Sequence, residues 1–131
     1  MKTFGLLLVC MFTLFVSGCG TMHPIYNVTA QPVVTAPGST AANLNDVSKA
    51  ILRAGTTLGW NMKVVEPGYI VGTLNLREHT ASVDVRYTPQ AYSIKYKDST
   101  NLNYDGASIH RNYNGWIQNL DKGIRAQLLN L

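Results

Sequence analysis

The cysteine at position 19 stands where its thiol is open to chemical modification. It follows an uncharged apolar run over residues 4–16, which in turn follows the basic residue Lys2, and Ser17 and Gly18 lie directly before it. A basic start, an apolar run and a small-residue cleavage site make up a secretory signal peptide. The run is too short to cross a bilayer, which takes roughly 20 apolar residues. The sequence therefore predicts a cleaved export signal over residues 1–18.

The segment Val16-Ser17-Gly18-Cys19 resembles the lipobox of small bacterial envelope lipoproteins. The resemblance covers residues 1–19 only, and it implies cleavage before Cys19, a thioether-linked lipid on the sulfur and acylation of the new amino group. In such families an Asp after the Cys marks retention at the inner membrane, and this chain has Gly20 there. The resemblance thus implies an anchor at the periplasmic face of the outer membrane, with the inner membrane or the cell surface as alternatives. An ordinary export signal, cut nearby to leave Cys19 as a free thiol, is the other interpretation.

Few residues of the remaining chain are suited to catalysis. The histidines His23, His79 and His110 have neither a Cys partner nor a second His at metal-ligand spacing. Asp98, Ser99 and His110 include the residue types of a catalytic triad, but without the G-x-S-x-G context of a nucleophile elbow. We therefore predict that the protein is not an enzyme and carries no metal or cofactor.

The segment from Asn101 to Gly106 resembles the first half of a calcium-binding loop, because Asn101, Asn103 and Asp105 alternate before a glycine. The twelfth position of such a loop needs a bidentate carboxylate, and this chain has Asn112 there. A turn that caps the following helix is the preferred interpretation.

The charge of the mature chain is mildly positive. Removal of residues 1–18 leaves ten basic and seven acidic residues, a net charge of +3. This charge is too small to indicate nucleic-acid binding, and solubility explains it well, although it also suits contact with anionic envelope polymers or lipid headgroups.

The chain divides into a tether and one domain. Residues 19–42 contain Pro24, Pro32 and Pro37 and no charged side chain, so a lipidated cysteine and a flexible tether are predicted there. The alternative is that Val28, Val33 and Val34 add an edge strand. Residues 43–131 are predicted to form a single domain.

Two helices are predicted from apolar residues at helical spacing. The first runs from Leu44 to Leu58, with Asn43 as its N-cap and Gly59 as its stop. The second is marked by an apolar stripe, and Tyr113 and Trp116 within it are predicted to be buried rather than to form a platform for a sugar. The stripe consists of Ile109, Tyr113, Trp116, Leu120, Ile124 and Leu128.

Four strands are predicted between the helices, over residues 60–65, 69–76, 80–87 and 92–97, and a polar loop follows over 98–108. Pairing Tyr87 with Tyr92 also sets Val85 opposite Ile94 and Asp84 opposite Lys95. The predicted fold class is α+β: a two-layer α-β-β-β-β-α arrangement, in which a four-stranded antiparallel meander has both helices on one face and its other face in solvent.

The predicted function follows from the anchor and the uncovered sheet. We expect a membrane-anchored, non-enzymatic lipoprotein for envelope interaction or maintenance, which binds an envelope protein. The alternative is a binding module for a small ligand or glycan, and an enzyme ranks third. The candidate partner-binding residues lie on the outer sheet face and in the polar loop; they are Arg86, Lys95, Lys97, Asp98, Ser99, Tyr104 and Asp105.

Overall fold

The computed structural model describes residues 21–131 and has an α+β architecture. The predicted signal peptide and the lipidation site Cys19 lie outside the described residues. The helices are α1 (Leu44–Thr57) and α2 (Arg111–Leu128). The strands are β1 (Met22–Pro24), β2 (Val28–Pro32), β3 (Asn61–Glu66), β4 (Tyr69–Leu76), β5 (His79–Tyr87), β6 (Ala91–Thr100) and β7 (Ser108–His110).

The main sheet is antiparallel and has five strands in the order β2-β6-β5-β4-β3, and β1 pairs with β7 in a separate two-stranded sheet. The predicted register of β5 and β6 is confirmed at all three pairs, Tyr87 with Tyr92, Val85 with Ile94 and Asp84 with Lys95. The predicted four-strand count is wrong, because β2 adds a fifth strand beside β6.

The prediction of a flexible tether over residues 19–42 is wrong for the part that forms β1 and β2, and the edge-strand alternative is correct. Val28 is only 5% exposed and lies opposite Ile94, so its burial offsets the entropy of ordering the segment. Side-chain acceptors also hold the strand, since Asn27 Oδ1 accepts from the Tyr96 amide and Ser93 Oγ accepts from the Ala30 amide.

The polar loop predicted over 98–108 is shorter than expected, because β6 continues to Thr100 and Ser108 belongs to β7. A β-bulge explains the difference. Val83 lies opposite Tyr96 and Ser82 opposite Asp98, so Lys97 is the extra residue between them. A bulge reverses the alternation of faces beyond it, which a strict period of two cannot reveal.

Helix α1 follows the prediction closely. The Asn43 side chain accepts from the Asp46 amide, and Asp46 accepts from the Asn43 amide, which completes a capping box. Gly59 has φ +88° just after the helix, where other residues would be strained. Gly55 lets α1 approach β3, because a Cβ there would overlap the Met62 side chain.

One hydrophobic core joins both helices to the inward face of the main sheet. The buried positions of α2 include Tyr113, Ile117 and Leu120, so burial of Tyr113 is confirmed. Trp116 packs only partly against this core, and Ile109 lies in β7 rather than in the helix. The predicted apolar stripe is therefore correct from Tyr113 onward, except that Ile117 rather than Trp116 is the buried residue. With 3.6 residues per turn, position 116 lies at the edge of the buried side of the helix.

The main sheet has two distinct ends. The turn between β4 and β5, strands β1 and β7 and the start of α2 meet at one end, which we call the histidine end because it holds His23, His79 and His110. The turn between β3 and β4 and the turn between β5 and β6 lie together at the opposite end, where the Tyr87 amide donates to the Gly68 carbonyl at 3.0 Å. Between residues 21 and 131, neither helix has the length and hydropathy needed to span a membrane.

Candidate interaction face

The side chains that point away from the core on β3 to β6 form a surface that we call the outer face. Its positions follow from the register, in which Lys63, Val71, Asp84 and Lys95 lie side by side across the four strands. Tyr69, Arg86 and Ser93 form the neighbouring row, nearer the opposite end. Both helices contribute to the core on the other side of the sheet, so neither helix covers this surface.

Asp84 is the centre of a polar network on the outer face. The Tyr69 hydroxyl donates to Asp84 Oδ1, and the Lys97 ammonium lies 3.5 Å from the same oxygen and 3.5 Å from the Tyr69 hydroxyl. The hydrogen bond to Tyr69, followed by the charge of Asp84, raises the pKa of Lys97 above its usual value. The bulge at Lys97 explains how this residue reaches back to Asp84.

Arg86 is held by an aromatic ring rather than by a carboxylate. Its guanidinium carbon lies 4.0 Å from the centroid of the Tyr69 ring. A cation over an aromatic face is stabilised by about 0.5–1 kcal/mol at an exposed site. Stacking fixes the plane of the guanidinium and leaves its N–H donors available to an incoming acceptor.

Lys95 completes the cationic surface. It is exposed, and among residues 21–131 it forms no ion pair, although it lies opposite Asp84 in the sheet. A depression of about 290 Å³ lies beside it, lined by Asp84, Arg86, Ser93, Lys95 and Tyr96. Fixed guanidinium, ammonium and hydroxyl donors at one surface suit carboxylate acceptors.

The structure separates the seven predicted partner-binding residues into two groups. Arg86, Lys95, Lys97 and Asp98 lie on the outer face, where Asp98 is opposite Ser82. The other three, Ser99, Tyr104 and Asp105, lie elsewhere.

The second group surrounds an aromatic cluster on the helix side of the sheet. Ser99 lies opposite the buried Ala81, and its hydroxyl is 2.8 Å from that of Tyr96. The Tyr104 ring packs on Tyr96 with the centroids 4.0 Å apart, and Tyr113 meets Tyr96 edge-on at 5.8 Å. Ser99 and Tyr104 therefore pack at the end of the core rather than extending the cationic face.

Asp105 stabilises a turn. Its carboxylate accepts from the amides of Ser108 and Ala107, and these bonds lower its pKa below the usual value. Asn101 and Asn103 have φ of 60° and 53°, which is typical of Asn in tight turns. The turn interpretation of this segment is therefore confirmed, but the cap of α2 is His110, whose Nδ1 accepts from the Asn112 amide at 3.2 Å.

The structure describes all three histidines, and two of them lie close together. The rings of His79 and His110 stack with centroids 6.5 Å apart, and His79 Nδ1 lies 2.9 Å from the Asn101 carbonyl oxygen. In the part of the chain that the structure describes, no group of three or more His, Cys, Asp or Glu side chains converges as metal ligands would.

Sequence reasoning missed Tyr69, which organises both Asp84 and Arg86. The alternation of β4 could have revealed it. Once the register of the strands is known, Tyr69 points outward directly beside Arg86, and Lys95 lies one strand further along the same face.

A second polar group was also missed, inside the core: Asp121 is only 5% exposed and accepts from the Tyr92 hydroxyl. Nothing in the helical pattern of α2 distinguished Asp121 from a solvent-facing carboxylate.

Comparison of the chain with models of protein families, with curated proteins and with solved structures gave no match.

Proposed function

We propose that this protein is a lipid-anchored bacterial envelope lipoprotein whose domain binds an acidic segment of a partner protein through the outer face, without catalysing a reaction. The lipobox resemblance at Cys19 supports the anchor and the periplasmic side of the outer membrane. The observation that carries the binding role is the outer face itself, an uncovered sheet surface on which Tyr69 orients Arg86 and Asp84.

The charge of the outer face indicates the chemistry of the partner. Four cations, Lys63, Arg86, Lys95 and Lys97, project from it, against the three carboxylates of Glu66, Asp84 and Asp98. Asp84 is already engaged by Tyr69 and Lys97. The surface therefore carries a surplus of positive charge, and electrostatic complementarity favours an acidic partner.

Quantitative capture of partners from native membranes tests the binding role. The double variant Lys95→Ala with Lys97→Ala should weaken capture about tenfold, because two exposed charge contacts of up to about 1 kcal/mol each are lost. Added salt should weaken capture by the wild-type protein and have less effect on the variant. The domain itself should keep its thermal stability, since both lysines are exposed.

A matched control removes the same charge elsewhere. Lys49 and Lys122 are exposed on the two helices, so Lys49→Ala with Lys122→Ala changes the net charge equally and leaves the outer face intact. Equal loss of capture in both double variants would mean that net charge, rather than the outer face, binds the partner.

The anchor has an independent test. Cys19→Ala should abolish incorporation of labelled palmitate and leave an unprocessed precursor. Unchanged palmitate labelling in this variant would show that the anchor assignment is wrong.

A further inference from the structure

The proposed lipid anchor lies very close to the folded domain. Thr21 is two residues after Cys19, so their Cα atoms are at most about 7.6 Å apart. Thr21 is already attached to the fold, because its carbonyl oxygen accepts from the Arg111 amide at 2.8 Å, and β1 begins at the next residue. A chain anchored at Cys19 has no tether that would let the histidine end stand away from the bilayer.

The headgroup layer is thick enough to reach this end. It occupies roughly 5–8 Å on each side of the hydrocarbon core, which is about the distance that separates Cys19 from Thr21. His23 and Arg111 flank Thr21 through strand pairing and the α2 contact. The side chains around Thr21 are therefore the ones that meet the membrane surface.

An open depression of about 500 Å³ lies at this place, between β1 and the first turns of α2. Its lining includes His23, Arg111, Asn112, Trp116 and Gln118, and it contains no carboxylate among the residues that the structure describes. The depression thus presents a cation, amide hydrogen-bond donors and an aromatic ring together.

This composition matches a phospholipid headgroup. Arginine binds phosphate oxygens with two parallel N–H bonds, and asparagine and glutamine donate to phosphate and ester oxygens. Tryptophan is enriched where membranes meet water, because one part of its ring is apolar and its N–H is polar. Trp116 is only partly packed on the core, with its ring 6.5 Å from that of His79, so part of it remains for such a contact.

We infer that the histidine end docks on anionic phospholipid headgroups, with Arg111 bound to phosphate and Trp116 at the interface. The inference rests on the proposed anchor at Cys19. Docking directs β5 away from the membrane and places the turn between β5 and β6 about 26 Å further out, since β5 rises about 3.3 Å per residue from His79 to Tyr87. The strands of the outer face then run away from the bilayer surface, so this face remains accessible to a partner.

Fluorescence quenching in nanodiscs tests this orientation with the complete lipidated protein. Leu76→Cys and Gln90→Cys each introduce one thiol for a fluorescent label, at the histidine end outside the depression and at the opposite end of the molecule. The quencher is a phospholipid with a spin label on its headgroup, in discs of phosphatidylcholine alone or mixed with phosphatidylglycerol. We expect strong quenching at position 76 and little at position 90, and more quenching at position 76 when phosphatidylglycerol is present.

Arg111→Gln tests the contact with phosphate. It should lower the ratio of docked to undocked domains about fivefold in the phosphatidylglycerol discs, the effect of one basic residue at an anionic surface. The backbone bond to Thr21 is retained, since it does not involve the Arg111 side chain. Arg53→Gln is the matched control, because Arg53 is exposed on α1 beside Ala54, which packs near Gly123, about 18 Å along α2 from Arg111.

Four results would overturn the inference. Equal quenching at positions 76 and 90, in protein that stays in the discs and carries its acyl chains, would show that the domain is not docked while the anchor is correct. If the extent of quenching changed neither with phosphatidylglycerol nor with Arg111→Gln, recognition of anionic headgroups would be excluded. Loss of quenching on addition of peptidoglycan fragments would identify the depression as a glycan site. Protein that lacks acyl chains and leaves the discs would instead refute the proposed anchor, and the docking inference with it.

Discussion

Two similar polar networks lie on opposite sides of the main sheet. On the helix side, the Tyr92 hydroxyl donates to Asp121 Oδ1 at 2.5 Å, and Arg125 pairs with Asp121 Oδ2 at 3.0 Å. On the outer face, Tyr69 donates to Asp84, which pairs with Lys97. Each network thus joins a tyrosine, an aspartate and a cation.

Solvent makes the difference between the two networks. Tyr92 is 1% exposed and Asp121 5%, so neither group can exchange its partner for water without unfolding. Tyr69 and Asp84 are half-buried, and Lys97 is exposed. A buried hydrogen bond that loses one partner costs the full desolvation of the other, whereas an exposed one is replaced by water. The inner network therefore stabilises the fold, and the outer one remains available for binding.

The largest difference in stability should appear when one tyrosine on each side of the sheet is replaced by alanine. Tyr113 is completely buried, so Tyr113→Ala should lower the free energy of unfolding by about 3–5 kcal/mol through the cavity that it leaves. Tyr69→Ala on the outer face should cost only about 1 kcal/mol, mainly the cation–π contact with Arg86. Urea titration of the purified variants measures both changes. Similar losses would mean that the outer face is part of the folding core.

The carboxylates allow a direct test of the two networks. Asp121→Ala should cost about 1–3 kcal/mol, because the buried Tyr92 hydroxyl loses its acceptor. Asp84→Ala should cost less than about 1 kcal/mol, as exposed ion pairs do. Thermal melts of these variants, with Asp121→Asn as a control that keeps an acceptor oxygen, would distinguish burial from charge. A loss for Asp84→Ala as large as that for Asp121→Ala would contradict the comparison.

The smallest effect should be seen at alkaline pH. Burial, together with the hydrogen bond to Asp121, raises the pKa of Tyr92 well above its usual value. The stability that neutral Tyr92 provides is therefore complete below the unfolded pKa of about 10, and it is lost as the pH rises beyond that value. Tyr92→Phe should show a smaller fall in melting temperature than the wild type between about pH 9 and about pH 11. Identical falls would mean that Tyr92 does not contribute to alkaline unfolding. Burial also raises the pKa of Tyr113, but Tyr113 is present in both proteins and contributes equally to both falls.

Local patterns in the sequence determined most of the secondary structure. The capping residue Asn43 and the helical spacing that follows predict α1 to within one residue, because caps and periodicity act over a few positions. The alternation in β5 and β6 predicts their register, since a slip of one residue would turn Val83 and Val85 into solvent. The lipobox resemblance and the position of Cys19 are likewise properties of the sequence alone.

Only the tertiary structure decided the features that depend on distant residues. Strand β2 forms because Val28 pairs with Ile94, which lies 66 positions further along the chain. The bulge at Lys97 places Asp98 on the outer face and Ser99 on the helix side, which is the reverse of what a regular period of two predicts. The burial of Asp121 depends on Tyr92 lying across the core. These features depend on packing and hydrogen bonding between segments that are far apart in sequence, and local propensities cannot predict such contacts.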